Sequence, residues 1–122
     1  MIEKVFEIEG KPIKMRASAS IPRLYRAKFD RDIIVDMKRL ESGIKNGEEP
    51  DTIDCEIFEN LAFIMARHAD SSNVPKTCEE WLDSFDSSLA IYESLKEIIE
   101  FFKGSMTTTS DSKKNHVPPN VR

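Results

Sequence analysis

The residues with the widest chemical repertoire in this chain are two cysteines and two histidines, Cys55, Cys78, His68 and His116. Converging, they would offer thiolate and imidazole ligands to zinc, but such sites use closely spaced ligand pairs and these separations match none, with His116 in a polar tail. No metal is expected. The N-terminus, Met1-Ile2-Glu3-Lys4-Val5, has no basic segment leading into an apolar stretch, so a reducing cytoplasm is expected and both cysteines read as free packing residues. The serines lack the context of a nucleophile elbow, and widely separated histidines give a Ser-His or Cys-His pair little support. The four glycines, Gly10, Gly43, Gly47 and Gly104, stand singly, which removes a phosphate-cradling loop and with it a nucleotide cofactor. Glu79, Glu80, Asp83 and Asp86 invite an acid/base or metal role, yet a solvated helix face produces the same spacing. The expectation is a protein with no catalytic site and no cofactor, working through its surfaces.

Charge says more about those surfaces than its total of −4 suggests. Residues 1–47 hold eleven Lys/Arg against seven Asp/Glu, whereas residues 48–105 hold four against fourteen. A basic side and an acidic side follow. Arg16, Arg23, Arg26, Lys28 and Arg31, interleaved with Tyr25 and Phe29, have the composition of a nucleic-acid patch, and a nucleic-acid-associated or regulatory role is the alternative function. Repulsion from the acidic segment opposes approach to a polyanion. The same five residues equally suit a solvated basic face, or a face that meets the acidic side of a second copy and drives head-to-tail self-association.

The elements that must carry these faces follow from periodicity. Ile2, Phe6 and Ile8 alternate with Glu3 and Glu7, Glu9-Gly10-Lys11-Pro12 supplies turn chemistry, and Ile13 to Arg16 resumes the alternation: a β-hairpin. Helical spacing then takes over. A short helix opens at Ser20-Ile21-Pro22, a second capped by Asp30 runs from about Arg31 to Lys45, and a third capped by Asp51 or Thr52 reaches about Ala69. Two apolar ridges on the third, Ile53-Ile57-Leu61-Ile64-His68 and Phe58-Ala62-Met65-Ala69, make it the expected core helix. Thr77 with Glu80 starts a short fourth helix bearing Trp81, Leu82 and Phe85; Ser87 or Ser88 starts a fifth that stops at Lys103-Gly104. The fold class is α+β, mainly α: an N-terminal hairpin on about five helices forming one domain over residues 1–104, with a disordered tail over 105–122. No segment approaches the ~20 apolar residues of a membrane span. Ile91, Ile98, Phe101 and Phe102 exceed what one core face of the last helix requires, which makes them candidate partner-binding residues unless the hairpin and third helix bury them.

The order of segments resembles a family. The N-terminal hairpin, Arg16-Ala17-Ser18-Ala19-Ser20-Ile21-Pro22-Arg23-Leu24-Tyr25-Arg26 and Phe29-Asp30-Arg31-Asp32-Ile33 are similar to the tail assembly chaperones of long-tailed phages and prophages of Gram-positive bacteria. So are Glu56-Ile57-Phe58-Glu59-Asn60-Leu61-Ala62-Phe63-Ile64-Met65-Ala66 and Glu79-Glu80-Trp81-Leu82-Asp83-Ser84-Phe85 followed by Ile91-Tyr92. The likeness spans about residues 5–103 and consists of core and turn residues, so it marks lineage better than a site. It implies a protein of the host bacterial cytoplasm, absent from the virion, that binds the tape measure protein and recruits tail tube subunits. It also implies two product lengths joined by a programmed ribosomal frameshift, this chain being the shorter. Lys113-Lys114-Asn115 fits a slippery heptamer if its codons are A-rich. Silent recoding of Lys114 to AAG should then abolish a longer product while leaving the 122-residue chain unchanged; a −1 frame that closes within a few codons contradicts the expectation.

Overall fold

The computed structural model of the chain describes residues 2–116, with side chains through 106. Strands β1 (Ile2–Ile8) and β2 (Lys11–Ala17) form a two-stranded antiparallel sheet with Phe6 opposite Ile13 and Ile8 opposite Lys11. The two-residue connection has Glu9 at φ 54° and Gly10 at φ 73°. Two consecutive left-handed residues are what a tight hairpin needs to match strand twist. Phe6, Ile8, Met15 and Ala17 turn inward, while Val5 on the other face is 55% exposed, as alternation predicts.

A lone hairpin is marginal in water. Here it lies on α3 (Thr52–Ala69), the helix everything else surrounds. Six consecutive residues of α3, Leu61 through Ala66, are buried, a pattern possible only for a helix covered on most of its circumference. Its start is fixed by Asp51, whose side chain accepts from the Asp54 amide while the Asp54 carboxylate accepts from the Asp51 amide. Arg39 donates to Asp51 at 2.7 Å and Asp54 at 2.9 Å, tying the second helix to that cap.

Helices α1 (Ile21–Phe29) and α2 (Ile33–Lys45) cover one side. Asp30 does not cap α2 as its position suggested. It ends α1 in a left-handed conformation with its amide bonded to the Arg26 carbonyl, and Asp32 caps α2 by accepting from the Ile34 and Val35 amides. Two acidic residues two apart compete for the same role, and the chain uses one to stop and the other to restart. Ser20 occupies the N-cap position of α1 without a side-chain cap bond.

Trp81 of α4 (Cys78–Asp83) packs near Phe63 of α3, with ring centroids 6.0 Å apart. The expected fifth helix is divided. A 3-10 turn, Ala90–Ser94, precedes α5 (Leu95–His116). Gly104 does not stop α5, because a single glycine lowers helix stability by only ~1 kcal/mol and leaves the backbone hydrogen bonds intact. The expectation of disorder over 105–122 concerns a segment whose backbone is described to His116 and not beyond.

Leu61 is fully buried at the middle of α3, so Leu61→Ala should lower unfolding free energy by ~2–5 kcal/mol in chemical denaturation. A loss under ~1 kcal/mol would place the core elsewhere.

Candidate functional site

The apolar candidates on the last helix go to the core. Ile91 is 2% exposed, Ile98 0% and Phe102 2%. Phe101 is half-buried, edge-on to Phe6 with centroids 5.6 Å apart. Of the two alternatives left open for these four, burial is the one found for Ile91, Ile98 and Phe102, with Phe101 half-buried. The hairpin strand β1 packs on the 3-10 turn that carries Ile91, and α3 packs on α5.

The neighbouring face of the same helix is open in part, with Leu95 half-buried and Ile99 4% exposed at its base. Leu95 and Ile99, with Ile44 of α2, line a cavity of about 610 Å³ rimmed by Glu41, Lys45, Lys96, Glu100 and Lys103. It borders a narrower cleft of about 120 Å³ that shares Ile44, Leu95 and Ile99 and adds Leu40, Pro50, Phe58 and Tyr92. Ile44 is 56% exposed, so one wall is a hydrophobic residue left in water. An ion pair at 2.8 Å joins Lys103 to Glu41 across α2 and α5. Together these cavities form a trench between two helices, the shape into which an amphipathic helix lays its apolar face. Periodicity places Ile44 on the apolar stripe of α2 and Leu95 and Ile99 on that of α5. It carries no signal of the gap between the two helices, which depends on how they splay around α3.

A polar group lies beneath the narrower cleft. Tyr92 donates to Glu59 at 2.5 Å, and burial together with that carboxylate raises the phenol above its ordinary range. The Cys78 thiol donates to the Glu59 carbonyl at 3.6 Å and is pushed up to about 12, chiefly by burial and then by the charges of Glu59 and Glu79. A thiol held protonated is a poor nucleophile and metal ligand. Both cysteines are free, and no cluster of potential metal ligands occurs among the described residues. The His116 side chain lies outside them.

One contact was not legible in the sequence. Ser18 Oγ lies 3.0 Å from His68 Nε2, bringing the end of the hairpin to the end of α3 across fifty residues. Burial, then the charge of Arg16, lowers the His68 pKa, so the ring is neutral near pH 7. Ser18 Oγ also accepts from the Ser20 amide at 3.2 Å. The pair fastens the hairpin's exit to α3.

The basic segment divides into spent and unspent charges. Arg16 pairs with Glu3 across the strands at 2.5 Å. Arg31 forks onto Asp36 with two bonds of 2.8 Å, and Tyr25 donates to the same carboxylate at 2.9 Å. Arg23, Arg26 and Lys28 are exposed on α1, and none joins an ion pair among the described residues. The five residues are thus not one continuous free face; a cation next to a carboxylate of its own fold is partly neutralised.

Asp36 is the one buried charged side chain among the described residues, 4% exposed. Burial alone would push its carboxyl up, but bonds from Arg31 and Tyr25 outweigh this and hold it below the ordinary carboxylate range. A depressed folded pKa stabilises above the unfolded value of ~3.9 and ceases to as pH falls through the folded value. Asp36→Asn should therefore be destabilising at pH 7, with the gap to the parent chain closing as urea midpoints are followed into the acid range. Tyr25→Phe should cost ~1–3 kcal/mol at pH 7. A gap independent of pH would show that the carboxylate charge is not what holds α1 to α2.

No helix among the described residues is long and apolar enough to cross a membrane. No known protein family, no curated protein and no solved structure matches the chain.

Proposed function

We propose that this chain is a phage tail assembly chaperone of the kind its segments resemble, acting in the host bacterial cytoplasm, and that the trench between α2 and α5 holds apolar helical stretches of the tape measure protein. The observation that carries the reading is that trench: an open apolar channel about 610 Å³ in its larger part, floored by Leu95 and Ile99 and edged by charges of both signs. A long helical tape measure presents apolar stripes that aggregate until covered, and a channel between two helices covers such a stripe through i, i+3/i+4, i+7 anchors. The mixed rim of Lys45, Lys96 and Lys103 with Glu41 and Glu100 suits a coat that binds many successive stretches of differing charge. A coat of bound copies would in turn recruit tail tube subunits and leave before the virion is complete.

Nucleic-acid binding has less support, because Arg16 and Arg31 already have carboxylate partners within the fold. Three of the five basic residues remain, Arg23, Arg26 and Lys28 on α1, on a chain of net charge −4.

Co-expression with the very long open reading frame next to the gene tests the reading. The chain should keep that product soluble and co-purify with it. Ile44→Glu puts a carboxylate into the trench at an exposed position, so it should reduce recovery of the complex about tenfold or more without moving the thermal midpoint. Equal recovery with Ile44→Glu would remove the trench from the account, and a tape measure product that is soluble alone and ignores this chain would remove the function.

A further inference from the structure

The most exposed large apolar side chain among the described residues is Leu89, 65% exposed. Single surface leucines are ordinary, so exposure alone assigns nothing. This one, however, is held out by fixed backbone. The Glu9 carboxylate at the hairpin turn accepts from the Asp86 amide at 2.9 Å and the Ser87 amide at 2.6 Å, and Ser87 Oγ accepts from the Leu89 amide at 3.2 Å. Buried Ala90 and Ile91 anchor the chain immediately after it. The neighbourhood is acidic: Glu59, Asp83 and Asp86 line a hollow of about 310 Å³ that includes Ser88 and Ala90 on either side of Leu89 in the chain, and Glu93 follows on the 3-10 turn. Lys11 donates from its ammonium to the Ser84 carbonyl at 3.2 Å, earlier in the same loop.

The other end of the molecule carries the reverse. A cavity of about 280 Å³ between α1 and the end of α3 has an apolar floor of Leu24, Ala27, Phe63 and Ile64, with Lys28, Arg67 and His68 around it. No carboxylate lines it. Lys28 donates to the Lys76 carbonyl at 2.7 Å and Arg67 to the Val74 carbonyl at 2.6 Å, contacts that fix both side chains without neutralising them. An apolar cavity of ~150 Å³ already admits a benzene-sized group, so this one has room for a leucine side chain.

Knob and hole cannot meet within one molecule. The knob is clamped to the hairpin turn through Glu9, and the hole lies at the hairpin's open end, where Ser18 reaches His68. Seven residues of strand at ~3.3 Å each put ~20 Å between the two ends. We propose that Leu89 of one copy inserts into the α1–α3 cavity of the next, its acidic collar facing the cationic rim. The contact is heterologous, so it propagates head to tail into rings or filaments instead of closing as a symmetric dimer. Charge sets the approach and register, and the buried leucine adds a component that salt does not screen. A rigid knob loses little entropy on docking. This inference is independent of what the trench binds.

Sedimentation velocity of the full chain alone, at low salt and over a wide concentration range, tests it with two variants at exposed positions. Leu89→Asp lacks the knob and keeps the hole; Ala27→Glu obstructs the hole and keeps the knob. The parent chain should grow with concentration. Each variant alone should weaken association about tenfold or more with an unchanged thermal melt, and their equimolar mixture should form a one-to-one dimer and nothing larger. The proposal is overturned by a parent chain that stays monomeric at every concentration, by either variant associating like the parent, or by a mixture that remains monomeric.

Discussion

The structure depends on the burial of α3. A helix with six successive buried residues cannot sit at a surface, so its neighbours must surround it. The hairpin, too small to be stable alone, gains its stability by lying on that helix, and α1, α2 and α4 close the remaining sides. Aromatic contacts trace the wrapping: Phe63 reaches Phe29 on α1 and Trp81 on α4, and Phe58 reaches Tyr92 ahead of α5. Helix α5 comes last in the chain and meets α3 along a short stretch beside the hairpin. The gap left between α5 and α2 is the trench.

Because the core is apolar and non-directional, the angles between elements are set at its edges by polar clamps. Asp36 joins Tyr25 and Arg31 and so fixes how α1 meets α2. Arg39 fastens α2 to the cap of α3, and Arg67 gathers carbonyls from the loop before α4. Glu9 binds two amides of the loop after α4, which accounts for a non-glycine residue at positive φ in the hairpin turn. Each clamp satisfies groups that would otherwise be unpaired, and among the described residues no buried side-chain polar atom lacks a partner.

Much of this was legible beforehand for a physical reason: periodicity and caps are local. The hairpin, the Asp51 start of α3, the Thr77 start of α4 and the two ridges of α3 follow from residues a few positions apart. What failed depended on distant neighbours. Phe102 and Ile98 were candidates for a binding stripe because the last helix alone has more apolar residues than one face needs, and their burial depends on elements far away in the chain, such as α3. Ile44 and Ile53 lie on the apolar stripes of their helices yet remain half exposed, because the trench and the α3 terminus are uncovered. Arg31 was counted in a basic face from the composition of its own segment; Asp36, five residues on, meets it by folding back across the α1–α2 turn. Asp32 takes the capping role read for Asp30 because either can cap and only the chain's path decides.

The functional account joins two kinds of surface on one small domain. On the proposed reading the trench would give apolar cover to a partner helix, and knob and hole would repeat that cover along a long partner. The central claim is that an apolar helical segment of the tape measure protein occupies the trench. Amide hydrogen exchange of the chain, free and in complex with the co-expressed tape measure product, measures this most directly. The account predicts new protection in the second half of α2 and the first turns of α5, around Ile44, Leu95 and Ile99, while the buried amides of α3 are unchanged because they are already protected. Protection confined to α1 or the hairpin, with the trench exchanging as in the free chain, would contradict it.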